Sequence, residues 1–449
     1  MVFSSFTFLL LFMPVVLLLY RYVPQRLRLP FLLLSSVLFY GWGDPVWLVL
    51  LIPCMLINWS GALWITAKNK KRRFVLILLI VADLLPLLYL KYASFLLSLF
   101  SSATGITVSF TAPGLPAGIS FFTFQAISYI VDVYRGKVQA QKRFTVFAVY
   151  LSFFPQLVAG PIVLYSDMEQ QLLNSGRPEW HDMRAGLERF ITGLAKKVIL
   201  ADCLGRFWGS VNADLSSAGA LGAWLGLLAF SFQICFDFSG YSDMALGLGK
   251  AMGFTLPENF NNPYRARSLT DFWRRWHITL TVWFREYVYI PLGGNRKGKI
   301  RRDLNVLLVW ALTGLWHGAG INFIVWGLYF ALLMTFEKRF LLNKAPEKRL
   351  PSALRQAVTF FMVFIGWGIF SGFGKTLFPA MLGTYGIGND RMLLKCAAYA
   401  PLLILCGILC IRGSIDGKRL RKGWYPVLFL LSAASLSAQG YMTFVYFRF

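Results

Sequence analysis

The chain has 449 residues, of which 57% are hydrophobic, 17% aromatic and only 14% charged, far more apolar than a soluble protein of that length. Its formal net charge is +25, but the basic residues fall between apolar runs and not along one soluble face, which argues against nucleic acid as a partner and fits the positive-inside rule of membrane proteins. These features specify an all-α, polytopic integral membrane protein.

A crossing needs about 20 mostly apolar residues, and apolar runs lie near 6–20, 31–44, 46–66, 74–90, 118–134, 144–164, 186–205, 219–250, 304–319, 321–337, 356–372, 392–411 and 424–444. Some are short or carry Pro and Gly. The expectation is therefore roughly ten to twelve transmembrane helices plus re-entrant and interfacial pieces, with a break at Ala159-Gly160-Pro161. The first run has no basic segment before it, so it reads as a retained span and not a cleaved signal peptide. Basic clusters at Arg21–Arg28, Lys68–Arg73, Arg135–Arg143, Lys338–Arg355 and Arg412–Lys422 fall at turns that an alternating path, starting with the N-terminus outside, puts in the cytoplasm. No soluble domain of useful size is visible, so residues 1–449 read as one integral-membrane domain. The six cysteines lie in or beside apolar runs without metal-type spacing, which points to buried packing; no metal site is expected.

The segment 256–303 differs from the other loops. It alternates aromatic with basic residues, as in Asp271-Phe272-Trp273-Arg274-Arg275-Trp276-His277, the pattern of an interfacial or half-inserted helix with arginines at headgroups or water. Arg274, Arg275 and Arg296 are its candidates for contact with an anionic donor. The turn Leu292-Gly293-Gly294-Asn295-Arg296-Lys297-Gly298 lacks the spacing and the Ser/Thr of a P-loop.

Only three histidines are present. His317, in Trp316-His317-Gly318-Ala319-Gly320, sits inside an apolar stretch, and an ionisable group at bilayer depth is a functional candidate by default. Gly314, Gly318 and Gly320 remove bulk around it, either to admit a ligand or to let helices pack closely. His277 lies 40 residues earlier, and a re-entrant path through 276–291 permits both imidazoles to reach one cavity. His181 falls in a polar loop and reads as a surface or capping residue. A second polar cluster, Gln233 followed by Asp237, Ser239, Tyr241, Ser242 and Asp243, is set between apolar runs. It could line a tunnel, orient an imidazole, or pair with the arginine-rich segment nearby.

The strings Cys235-Phe236-Asp237-Phe238-Ser239-Gly240-Tyr241-Ser242-Asp243-Met244-Ala245, Pro257-Glu258-Asn259-Phe260-Asn261, Asp271 to His277, Tyr289-Ile290-Pro291-Leu292-Gly293-Gly294-Asn295-Arg296 and Gly314-Leu315-Trp316-His317-Gly318-Ala319 together resemble the membrane-bound O-acyltransferase (MBOAT) family, and within it the bacterial alginate O-acetyltransferase branch. So do Met1 to Ser5, Gly118 to Phe124 and Phe153 to Pro161. The resemblance covers the chain to about residue 340.

It implies a helical ring around a thinned centre where a cytoplasmic and an extracytoplasmic funnel meet near the family's invariant histidine, here His317, with His277 matching the second histidine. It further implies a multi-pass protein of the bacterial inner membrane that passes an acyl group, most simply acetyl, across the membrane to an envelope or secreted polysaccharide. The donor would be acetyl-CoA or an acyl carrier thioester on the cytoplasmic side, with no bound cofactor. Expected partners are membrane lipid, the polysaccharide acceptor and an extracytoplasmic SGNH-type transferase.

Acyl transfer needs a base for the hydroxyl proton and a stabiliser for the oxyanion. His317 suits the first task; His277, Asn322 or a backbone amide suits the second, with Trp316 beside them. Direct transfer and an acyl-histidine relay both stay open. The alternatives are D-alanyl transfer to teichoic acid, a transporter or flippase whose histidines relay protons or bind substrate, and a structural scaffold of an envelope-polymer complex, in which the histidine pair would lack a purpose.

Overall fold

The computed structural model describes residues 1–43, 45–66, 71–108, 110, 113–341, 351–412, 423–439 and 442–444. The basic runs at 67–70, 342–350 and 413–422, assigned above to cytoplasmic turns, lie outside the described residues. Described elements are helical, and they fall into two compact units, Met1–Phe190 with Ser242–Glu258, and Ile191–Tyr241 with Asn259–Phe449.

In the first unit, α1 (Met13–Tyr22) continues a π-helical turn at Thr7–Phe12, and α2 (Gln25–Gly41), α3 (Leu48–Thr66) and α4 (Arg72–Thr104) follow. Next come α5 (Ile119–Tyr134), α6 (Phe144–Ser152), α7 (Phe154–Leu157), α8 (Tyr165–Leu173) and the start of α9 (Trp180–Ala195). α3 packs on α4 and α5, and α2 on α6. The run 144–164 is thus not one crossing. Helix stops at Ser152, resumes for one turn at Phe154–Leu157, and gives way to irregular backbone before Tyr165, because Pro155 and Pro161 cannot donate to a continuing helix. Gly118, at φ 80°, starts α5 where any Cβ would lie 2.4 Å from the Leu157 carbonyl oxygen, so the broken turn is seated directly on it.

The second unit holds the end of α9, a π-helical turn at Lys196–Ala201, α10 (Asp202–Ala213) and most of α11 (Leu215–Ala251). It continues with α12 (Leu269–Arg275), α13 (Ile278–Phe284), α14 (Gly298–His317), α15 (Ile321–Phe336), α16 (Ser352–Phe370), α17 (Gly374–Met381), α18 (Asp390–Arg412) and α19 (Trp424–Gln439). The run 186–205 is also not a single apolar span: α9 passes through the π-turn into α10, and Lys197 and Asp202 on the way are buried.

Among the described residues, six helices are long and apolar enough to cross a membrane: Pro45–Thr66, Arg72–Thr104, Leu215–Ala251, Ile321–Arg339, Ser352–Phe370 and Asp390–Arg412. Thr7–Tyr22, Ile119–Tyr134 and Trp424–Ala438 are shorter apolar helices. Residues such as Leu10, Leu78 and Ile404 stay exposed on the sides of their helices, a pattern that water would penalise and that lipid tails accept. The molecule is an all-α, multi-pass membrane protein.

Candidate active site

The two histidines of interest come from short-range features of the second unit. α14 ends at His317, and Gly318-Ala319-Gly320 turns the chain into α15, which packs back on α14. The hairpin is tight because of its glycines. A Cβ on Gly314 would sit 2.2 Å from the Phe323 carbonyl oxygen and one on Gly327 would sit 2.3 Å from that of Trp310. A Cβ on Gly318 would overlap the Phe323 ring at 2.1 Å. Of the two readings of these glycines, close helix packing is the one seen, and the space they vacate is filled by α15.

His317 is 7% exposed. Its ring centroid lies 5.0 Å from Trp316, 5.0 Å from Trp326 and 5.2 Å from Phe370, all edge-on. Trp326 is fully buried and stacks on Trp367 at 6.2 Å. The imidazole therefore stands in an aromatic nest built from α14, α15 and α16.

His277 joins α12 to α13. It is 2% exposed and adopts the left-handed conformation, φ 44° and ψ 54°, which costs a non-glycine residue roughly 1–2 kcal/mol and persists only where surrounding contacts hold it. Those contacts come from residues 259–261. Ile278 N–H donates to the Asn259 carbonyl at 3.0 Å and Asn261 N–H donates to the Arg275 carbonyl at 2.9 Å. The Asn259 side-chain oxygen lies 3.1 Å from His277 Nδ1. Phe238 from α11 meets the imidazole edge-on at 4.7 Å, and Trp316 lies 5.6 Å away. Burial pushes the imidazole below the ordinary histidine range, toward the neutral form. Both histidines thus contact the Trp316 ring, although they are 40 residues apart in sequence.

α12 is anchored at its other end. The buried Glu337 carboxylate accepts hydrogen bonds from Leu269 N–H (2.7 Å), Thr270 N–H (2.9 Å) and the Thr270 hydroxyl (2.7 Å). A carboxylate at a helix N-terminus satisfies orphan donors and complements the helix dipole, so the residue that closes α15 also holds the short helix that delivers His277.

The polar cluster of α11 divides. Asp237 is 1% exposed and pairs with Lys197 Nζ at 3.0 Å; the same ammonium reaches Asp202 at 2.6 Å. Asp243, in the first unit, accepts from Arg189 at 2.9 Å, and Arg189 also clasps Glu258 through two bonds of 2.6 and 2.7 Å. Arg189 of α9 and Lys197 of the π-turn after it thus supply cations to these carboxylates. Ser239 is half-buried, and Tyr241 is buried against Phe444 at 5.1 Å. Asn322 donates one amide N–H to the Phe370 carbonyl at 3.0 Å, so part of its capacity is spent on the end of α16. Arg275 pairs with Asp271 one turn back at 2.8 Å, while Arg274 and Arg296 are exposed. His181 is exposed beside Asp182.

Four residues of this architecture escaped the sequence reading. Nothing local to Asn259 in Pro257–Asn261 marks it as a partner of His277, and Glu337 lies at a span end. Lys197 and Arg189 sat within a supposed crossing, where the rule that singled out His317 applies equally to them.

The arrangement offers buried imidazole nitrogens among aromatic walls, suited to proton transfer on a substrate hydroxyl. Residues 142–378 match the family model described as MBOAT, membrane-bound O-acyltransferase family. The chain belongs to the membrane-bound O-acyltransferase family. It is 37% identical to the "Probable alginate O-acetylase AlgI" of Pseudomonas putida over the whole of both chains. The protein of the same name from Pseudomonas aeruginosa is 43% identical, over 82% of this chain and 72% of its own length. The "Peptidoglycan O-acetyltransferase" of Helicobacter pylori is 33% identical, over 92% of this chain and 88% of its own. In this membrane-bound O-acyltransferase, the family match spans both histidines and the residues that hold them.

Proposed function

We propose that this O-acyltransferase passes an acetyl group across the bacterial inner membrane for O-acetylation of an envelope or secreted polysaccharide. The observation that carries the reading is the meeting of His277 and His317 at one buried aromatic ring, Trp316, in a chain similar along nearly its full length to proteins named as an alginate O-acetylase and a peptidoglycan O-acetyltransferase. Both names specify acetyl transfer, which favours acetyl over D-alanyl as the group carried.

In the proposed step, a hydroxyl oxygen attacks the carbonyl carbon of an acetyl thioester while its proton passes to an imidazole nitrogen. The tetrahedral intermediate expels the thiolate, which takes up a proton, and an ester is left on the former hydroxyl. His317 and His277 supply the acid–base groups, Trp316 forms a shared wall, and Asn322 has a second amide N–H for the oxyanion. Asp237, Ser239, Tyr241 and Asp243 serve as tunnel or supporting residues. The donor, acetyl-CoA or an acyl carrier thioester, arrives from the cytoplasm, where the exposed Arg274 and Arg296 meet its phosphates and Arg275 supports them. The N-terminus lies outside, and an extracytoplasmic SGNH-type transferase receives the group. Residues 1–449 act as a single membrane-embedded catalytic domain.

The test is acetylation of the polymer in cells carrying His317→Ala or His277→Ala. Removing a positioned acid–base group costs about 10²–10⁴-fold in rate, so His317→Ala should abolish detectable acetylation at near-normal levels of membrane-inserted protein, and His277→Ala should reduce it. Near-normal acetylation by His317→Ala would overturn the assignment and favour a transporter.

A further inference from the structure

Asn259 is fully buried, and its side-chain oxygen has three neighbours able to donate: His277 Nδ1 at 3.1 Å, Thr279 Oγ1 at 2.9 Å and the Thr279 backbone N–H at 3.3 Å. The last of these decides the chemistry. A backbone N–H can only donate, so the amide atom facing it is the oxygen and not the nitrogen. An amide oxygen can only accept, so the imidazole nitrogen facing it carries a hydrogen. A neutral imidazole has one N–H. Its other nitrogen, Nε2, therefore bears a lone pair, and Nε2 is buried with no hydrogen-bond partner among the described residues.

We infer that Asn259 is a positioning residue that locks His277 in the Nδ1–H tautomer and thereby makes its Nε2 the proton acceptor for the substrate hydroxyl. The inference rests on the acyl-transfer reading above, in which both histidines are acid–base groups, and departs from the sequence expectation that His277 helps the oxyanion while His317 takes the proton. A neutral ring whose single hydrogen is committed to Asn259 has none to offer a developing negative charge. The left-handed backbone of His277 serves the same end, because it turns the residue out of helical register so that its ring meets Asn259 while Ile278 N–H bonds the Asn259 carbonyl. Asn259 thus grips both the backbone and the ring of the α12–α13 junction. A histidine between two continuous helical turns would lack that grip.

The proton path is balanced. The hydroxyl O–H bond breaks as its hydrogen passes to Nε2, giving an imidazolium whose two N–H groups face the reacting centre and Asn259. The Nε2 hydrogen then passes to the departing thiolate and restores the starting tautomer. Asn259 accepts a hydrogen bond throughout and never exchanges a proton, and the imidazolium strengthens that bond when it forms.

The experiment uses the full-length protein, purified with 15N-labelled histidine. Three imidazoles contribute, and the His277 signals are identified by their loss in His277→Gln. Nitrogen shifts distinguish protonated from bare ring nitrogens, and the expected result is a protonated Nδ1 and a bare Nε2 in the unmodified protein. Asn259→Asp, which still offers an accepting oxygen, should keep the hydrogen on Nδ1 and retain acetylation within about tenfold. Asn259→Leu should release the hydrogen to a mixture of tautomers and lower acetylation about 10²-fold, the scale of losing one correctly poised base. A bare Nδ1 in the unmodified protein overturns the inference, and so does an unchanged His277 spectrum in folded Asn259→Leu. The unmodified spectrum decides the tautomer even if Asn259→Leu fails to fold. Should the tautomer be as inferred while His277→Ala acetylates normally, the catalytic reading of His277 fails and the positioning by Asn259 stands.

Discussion

Gly314→Ala tests whether the α14–α15 hairpin sets the position of His317. The added methyl would lie 2.2 Å from the Phe323 carbonyl oxygen and 3.0 Å from its carbon, whereas real Cβ contacts essentially never fall below 3.0 Å. The obstruction is backbone inside a helix, so no rotamer change relieves it. α14 and α15 must part locally by about 0.8 Å or more, and over-packing of this kind costs roughly 1–3 kcal/mol. His317 is three residues further along the same helix, less than one turn, and its ring is held between Trp316 of α14 and Trp326 of α15. Separation of the helices therefore moves the imidazole against half of its surroundings, and a misplacement near 1 Å lowers rates by about 10². Polymer acetylation should fall on that scale while membrane insertion persists, and the purified variant should unfold at a lower temperature in detergent. Gly209→Ala is the control, since a methyl there meets nothing within 4 Å and should leave both readouts unchanged. If Gly314→Ala acetylates and melts like the parent protein, the hairpin does not position His317.

Lys197→Met leaves the Asp202 and Asp237 carboxylates buried without their shared ammonium, and breaking a buried pair typically costs about 3–5 kcal/mol. Thermal unfolding of the detergent-solubilised variant should show a marked loss that Lys197→Met combined with Asp202→Asn and Asp237→Asn largely reverses; equal stability of Lys197→Met and the parent protein would show that the triad is not holding the π-turn to α11. Lys297→Cys, placed on the exposed turn before α14 in a background without the native cysteines, should react with a membrane-impermeant thiol reagent only after the cytoplasmic face is opened. Labelling from outside intact cells would overturn both the outward N-terminus and the cytoplasmic donor route.

Much of this protein is written locally in its chain. Apolar runs of crossing length follow from composition alone, because burial in lipid requires nothing but length and hydrophobicity. Pro155 and Pro161 mark the break in the run 144–164, since the loss of a backbone donor is a property of the residue itself. His277 and His317 were visible as ionisable groups in apolar surroundings. Their partners were not. The glycines around His317 admitted two meanings, and only the 2.2 Å approach of Phe323 to Gly314 selects helix packing. Asp237 and Asp243, six residues apart on one helix, take different cations, Lys197 and Arg189, because neighbouring positions on a helix face different directions and the packing of other elements supplies each partner. Asn259 and His277 stand 18 residues apart, and which imidazole nitrogen holds the hydrogen depends on an acceptor delivered across that gap. Polarity and length belong to the residues in order; a hydrogen-bond partner belongs to the folded chain, because a bond of about 3 Å forms only where tertiary packing brings two groups together.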